Sequence, residues 1–213
     1  MDDYSSKIDW CEKNQNGFIV EYVNSVSNIS FVLVPMYMYI LYAEHDTPFY
    51  PFVLEVLVGV TSYWFHSTLS LFGQLADELS ILLIVLTGLP LTMRNKIWLF
   101  LLYGYLIVTY NKFNFLLLFS LVLPYISYLF EFLVFSVLHK LILRTFYIFC
   151  LALTCWVADR FWCSYTQQYY LHSLWHVLMA VVTYNLIILD LYIKHPSNKK
   201  ICYTLGLPYL KRV

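Results

Sequence analysis

The sequence predicts an all-α integral membrane protein, a bundle of seven transmembrane helices. Three observations carry this. Hydrophobic residues make up 61% of the 213 residues and charged ones only 12%, against roughly 45–50% and about 25% in soluble domains. The apolar residues come in blocks of about 20, the length that crosses a bilayer as a helix. The ionisable residues inside those blocks are few, and they gather near one side of the membrane.

The chain opens with a polar segment, residues 1–17, "MDDYSSKIDWCEKNQNG". It has early acids and no apolar core, so it is expected to be retained and not cleaved as a signal peptide. Seven spans follow: Phe18–Tyr42, interrupted by Glu21, Asn24 and Asn28; Tyr50–Leu69; Gln74–Met93; the short Ile97–Tyr110; Phe115–Leu138; Leu141–Trp162; and Tyr170–Ile193. Their connections are brief, which suits an up-and-down bundle of neighbouring helices. Residues 18–193 thus form one membrane domain, and residues 194–213 a basic C-terminal tail.

Lys and Arg set the orientation. Arg94, Lys96, Lys140, Arg144, Lys194, Lys199, Lys200, Lys211 and Arg212 fall on one side, and Lys7, Lys13, Lys112 and Arg160 on the other. The richer side is expected to be cytosolic. The N-terminus then faces the lumen of an internal membrane of endoplasmic reticulum or Golgi type. The formal net charge is zero, which argues against a nucleic-acid partner.

Ionisable residues inside spans are functional candidates. In "LHSLWH" (171–176), His172 and His176 lie four apart on one helical face, the spacing by which a helix offers two nitrogens to one metal. In "GVTSYWFHSTL" (59–69), Ser62 and His66 share a face of the second span. In "GQLADELS" (73–80), Gln74, Asp77 and Glu78 share one at the start of the third. By the topology, His66, Asp77, His172 and His176 all lie at the outer side, at one depth. Three histidines with a fourth position open to water is the pattern of a catalytic zinc site. The bundle is therefore expected to hold an intramembrane zinc site of His66, His172 and His176. Asp77 is the nearest carboxylate to accept a proton from the water that zinc acidifies, and Ser62 can hydrogen-bond a developing oxyanion. Asp77 and Glu78 also suit a helix N-terminus, whose dipole favours acids. Glu55, Glu131 and Asp190 stand apart from the cluster, and Asp159–Arg160 reads as a structural pair at a span end. Of the five cysteines, Cys11 and Cys163 fall on the same outer side, where a bridge is possible.

Six stretches in order, "DWCEKN" (9–14), "EYVNSVSN" (21–28), "GVTSYWFHSTL", "QLADEL" (74–79), "DRFWC" (159–163) and "LHSLWH", give the chain a resemblance to the alkaline ceramidases. More remotely, that family is similar to the seven-helix membrane zinc proteins that include the adiponectin receptors. The resemblance implies a zinc-dependent amidase that cleaves ceramide to a sphingoid base and a fatty acid. It puts zinc on His66, His172 and His176, makes Asp77 the proton acceptor, and sets Ser62 beside the scissile carbonyl. It implies a calcium site of Asp9, Trp10 (by its carbonyl), Glu12, Asn14 and Glu21, and a Cys11–Cys163 disulfide. The family reads Gly-x-Gly-Ser before its first histidine, whereas this chain has Gly59-Val60-Thr61-Ser62.

The expected partners are the bilayer and a ceramide-type lipid substrate. Two other readings compete. One is a receptor-like or signalling seven-helix protein that keeps the zinc site without turnover. The other is an amidase for a different N-acyl lipid.

Overall fold

The computed structural model describes residues 5–44, 46–111, 114–134, 136–194 and 199–212. Lys112, one of the four cations expected on the outer side, lies outside the described residues. Helices α1 (Tyr22–Ser27) and α2 (Ser30–Tyr42) make the first long segment. They break where side chains compete for the backbone. Ser27 and Asn28 both donate to the Asn24 carbonyl, at 2.8 and 2.9 Å, a local bonding pattern that loosens helices.

Helix α3 (Tyr50–Thr68) has Pro51 in its first turn and stops at Leu69, which is left-handed at φ 44°. Ser70 then caps α4 (Leu71–Gly88) by accepting the Gly73 N–H at 3.1 Å. The two helices fold back on each other across two residues. Gly73 lets them touch, because a Cβ there would sit 2.9 Å from Phe65 Cα. Next come α5 (Met93–Thr109), capped by Thr92, α6 (Asn114–Phe130) and α7 (Ser136–Phe161). A short α8 (Cys163–Thr166) leads into α9 (Leu171–Lys194).

Five segments are long and apolar enough to cross a membrane: Tyr22–Tyr42, Leu71–Gly88, Leu116–Leu133, Leu138–Phe161 and Leu171–Lys194. Helix α3, with Glu55, Ser62 and His66 along it, and the 17-residue α5 are not among them. Half of the most apolar window of α9 is buried, against 17–39% in the other four segments. Helix α9 is therefore the central post. The remaining helices expose apolar residues such as Leu33, Ile40, Trp98, Leu101 and Leu151, which suits a lipid surround. The protein is thus a mostly helical, multi-pass membrane protein.

Several expected boundaries move for local reasons. The first helix starts at Tyr22, not Phe18, because Val20 and Glu21 donate their N–H groups to the Ser67 and His66 carbonyls. That stretch is thereby held as a strap along the end of α3. Helix α4 starts at Leu71, not Gln74, because of the Ser70 cap. It stops at Gly88, since the residue before Pro90 is pushed out of the helical region.

Residues 199–212, inside the stretch expected as a basic tail, hold β-structure that the all-helical reading did not include. Strands β1 (Lys199–Thr204) and β2 (Leu207–Arg212) pair antiparallel. Their turn places Leu205 and Gly206 at φ 46° and 79°, the two positive φ values of a type I′ hairpin. Isolated hairpins are marginal, and this one is docked. Leu210 packs with Met38, Phe52 and Tyr184, the Tyr184 hydroxyl donates to the Pro208 carbonyl at 2.6 Å, and Lys199 and Arg212 reach Asp46 and Glu44. Long-range docking of this kind leaves no local signature in the sequence.

Cys11 and Cys163 are disulfide-bonded across 152 residues, with Cα atoms 5.2 Å apart. Closing so long a loop restricts the unfolded chain, and losing a native disulfide costs roughly 2–5 kcal/mol. Cys11→Ser is therefore expected to lower the thermal midpoint in detergent, and reductant to lower that of the wild type but not of the variant. An unchanged midpoint contradicts this.

Candidate metal centre

The end of α3 carries His66, and the first turns of α9 carry His172 and His176. The three imidazoles are buried, and one ligand nitrogen from each lies within 4.8 Å of the others. Their ring centroids are 4.6–5.0 Å apart. Two rings are held from behind. His66 Nδ1 meets Glu21 Oε2 at 2.5 Å, and His176 Nδ1 meets Ser27 Oγ at 2.7 Å. With Nδ1 engaged, Nε2 is the free nitrogen, and such outer partners orient metal-binding histidines. His172 is held by stacking on Trp10 at 3.7 Å, while its Nδ1 is buried without a partner. Three buried imidazoles with an unsatisfied nitrogen are expensive unless something binds them. This donor set could hold a metal ion.

Glu21 and Ser27 were not singled out as partners of the histidines. The available signal was the spacing of Glu21, Asn24 and Ser27 along one face of an apolar segment. Asn24 belongs to the same layer, accepting the Ser173 hydroxyl at 2.7 Å.

Asp77 on α4 and Ser62 on α3 line one cavity with the three histidines. Asp77 stands outside the 4.8 Å group of ligand atoms, the Ser62 hydroxyl acts on its carboxylate, and its Oδ1 is buried without a partner. Gln74 and Glu78 serve a different end. Gln74 donates to Glu78 and to the Asn111 carbonyl, and accepts the Lys7 N–H at 2.8 Å. They tie the N-terminal segment to α4.

The expected Asp159–Arg160 pair is not a pair. Asp159 turns inward and accepts from the backbone N–H groups of Cys11 and His172. Arg160 turns the other way, donates to the Asp9 carbonyl at 3.0 Å and lies over the Trp10 ring. Both fasten the N-terminal segment over the histidines.

Of the residues expected around calcium, Asn14 lies against Asp9 at 3.4–3.5 Å, and Glu21 interacts with Asp9 and accepts the Trp10 N–H at 3.3 Å. Glu12 faces the start of α1 instead, its carboxylate accepting the N–H groups of Val23 and Asn24 at 2.7 Å each.

The cavity is about 280 Å³ and mostly apolar. It runs from the histidines along α9 to Asp190, a helical distance of about 21 Å at 1.5 Å per residue. Ser62 and Asp77 line it together with the three rings.

The ceramidase family pattern matches residues 2–210. The chain is 32% identical to alkaline ceramidase 1 of Mus musculus, over 97% of this chain and 91% of that protein. It is 30% identical to the alkaline ceramidase of Drosophila melanogaster, over 88% and 77%, and 31% identical to alkaline ceramidase 1 of Homo sapiens, over 83% and 78%. A match that runs through the N-terminal strap, the α3–α4 pair and the α9 histidines alike places the chain in the alkaline ceramidase family.

Proposed function

We propose that this protein hydrolyses the amide bond of a ceramide to a sphingoid base and a free fatty acid, at a zinc ion held by His66, His172 and His176. The observation that carries the reading is the convergence of three buried imidazoles and the Asp77 carboxylate at one end of a long apolar cavity. The names of the mouse, fly and human relatives support the substrate class. A zinc ion bound there supplies a Lewis acid for the amide carbonyl and a water acidified towards neutrality.

The protein's own residues do the rest. Glu21 and Ser27 hold two of the imidazoles in a fixed tautomer and direction. Asp77 accepts the proton of the attacking water and returns it to the leaving amine. Ser62 steadies that carboxylate and stands beside the carbonyl. The apolar cavity takes hydrocarbon chain and leaves the amide at the depth of the histidines. Calcium at Asp9, Asn14 and Glu21, with the Trp10 carbonyl, would brace the N-terminal segment, since calcium takes several oxygen ligands, while Glu12 caps the start of α1. Helices α3 and α5 complete a seven-span bundle whose histidine end faces a lumen and whose hairpin end faces the cytosol.

The test uses purified protein with ceramides of several acyl lengths and reads free sphingoid base and bound zinc. Turnover is expected to vanish with a strong chelator and return with added zinc. No product from a zinc-loaded sample on any ceramide, or full turnover after verified zinc removal, overturns the proposal.

A further inference from the structure

Helices α3 and α4 meet at three successive levels. Phe65 lies against Gly73, Ser62 acts on Asp77, and Thr61 Oγ1 is 2.8 Å from Ser80 Oγ. Asp77 therefore sits between a steric contact one turn before it and a hydrogen bond one turn after it. The Ser80 hydroxyl also lies 2.7 Å from the Asp77 backbone carbonyl. Thr61, in turn, has the carbonyls of Leu57 and Val58 within 2.9 and 3.1 Å.

From this geometry we infer that Thr61 is a positioning residue for Asp77, acting through Ser80. The inference rests on the reading of Asp77 as proton acceptor. Each hydroxyl has one proton and two lone pairs. When Thr61 donates to Ser80, Ser80 donates to the Asp77 carbonyl, and a continuous chain runs from α3 to the backbone of the proton acceptor. When Thr61 donates to its own helix, Ser80 can donate to Thr61 or to the Asp77 carbonyl but not to both. In two of these three arrangements the hydroxyls bridge the helices, and α4 resists sliding or rotating about its contact with α3.

A carboxylate that must meet a water held elsewhere is sensitive to such motion, because a misplacement of about 1 Å costs up to roughly 10²-fold in rate. Thr61→Val keeps the shape and removes the hydroxyl. Its kcat is expected to fall about tenfold, with KM and zinc content unchanged, and Thr61→Ser is expected to restore it. In an Asp77→Asn background Thr61→Val should cost nothing further, the signature of two residues acting as one unit. Ser80→Ala cuts the same link from α4 and should reproduce the pattern, which keeps the test sound if Thr61→Val does not fold. Wild-type kcat in both Thr61→Val and Ser80→Ala overturns the inference, and so does an equal loss with and without Asp77. Full turnover by Asp77→Asn alone overturns it too, together with the underlying assignment. Impaired Asp77→Asn beside unimpaired Thr61→Val and Ser80→Ala overturns only the role of Thr61.

Discussion

Replacing Asp77 by asparagine is expected to leave the fold and bound zinc intact and to lower kcat by roughly 10²–10⁴-fold, the range of a lost general acid–base group. Asparagine keeps the size and the contact with Ser62 but cannot take a proton. The competing account, a helix-start acid in the dipole field, predicts a loss of at most about 1 kcal/mol of stability and nearly intact turnover. The structure weakens that account. Helix α4 begins at Leu71, and no acid falls in its first turn, while the dipole effect fades within one turn. Initial rates, metal content and thermal midpoint on the one variant separate the two. Near-normal turnover at full zinc loading would mean that the proton goes to another group.

His66→Ala is expected to fail differently, losing bound metal as well as turnover. It removes one of the three buried imidazoles and strands the Glu21 carboxylate, which now faces His66 Nδ1 at 2.5 Å in a fully buried layer. Glu21→Gln keeps the imidazole and weakens its support, and outer partners of this kind are worth about 10–100-fold in metal affinity. Zinc stoichiometry measured at a fixed free zinc concentration should therefore fall in the order wild type, Glu21→Gln, His66→Ala. A His66→Ala protein that binds zinc like the wild type would remove His66 from the centre.

The four residues at the heart of the candidate site were legible because they break the apolar pattern. A histidine four residues from another, or an Asp inside a span, stands out against Leu and Val, and topology alone carries His66, Asp77, His172 and His176 to one depth. The supporting layer was not legible, because its members are individually unremarkable. Ser27, Ser80 and Thr61 could each simply bond their own helix, and each does so in part; only the packing of neighbouring helices gives them a second partner. Asp159 and Arg160 misled for a related reason. Adjacency along the chain suggested a pair, whereas successive helical positions point in different directions. The hairpin escaped because its strands are held by α2, α3 and α9, far away in sequence.

The site joins the two ends of the chain, and this bears on how the protein assembles. Ser27 meets His176, and Asn24 meets Ser173, each across 149 residues. Cys11 finds Asp159 across 148. During synthesis the first segment thus enters the bilayer with Asn24 and Ser27 lacking the partners that come with α9. Contacts this distant are slow to form, and polar groups left waiting in hydrocarbon are costly. The early helices must therefore remain shielded, by neighbours in the insertion machinery or by water at the interface, until α9 arrives and the ring of helices closes around it.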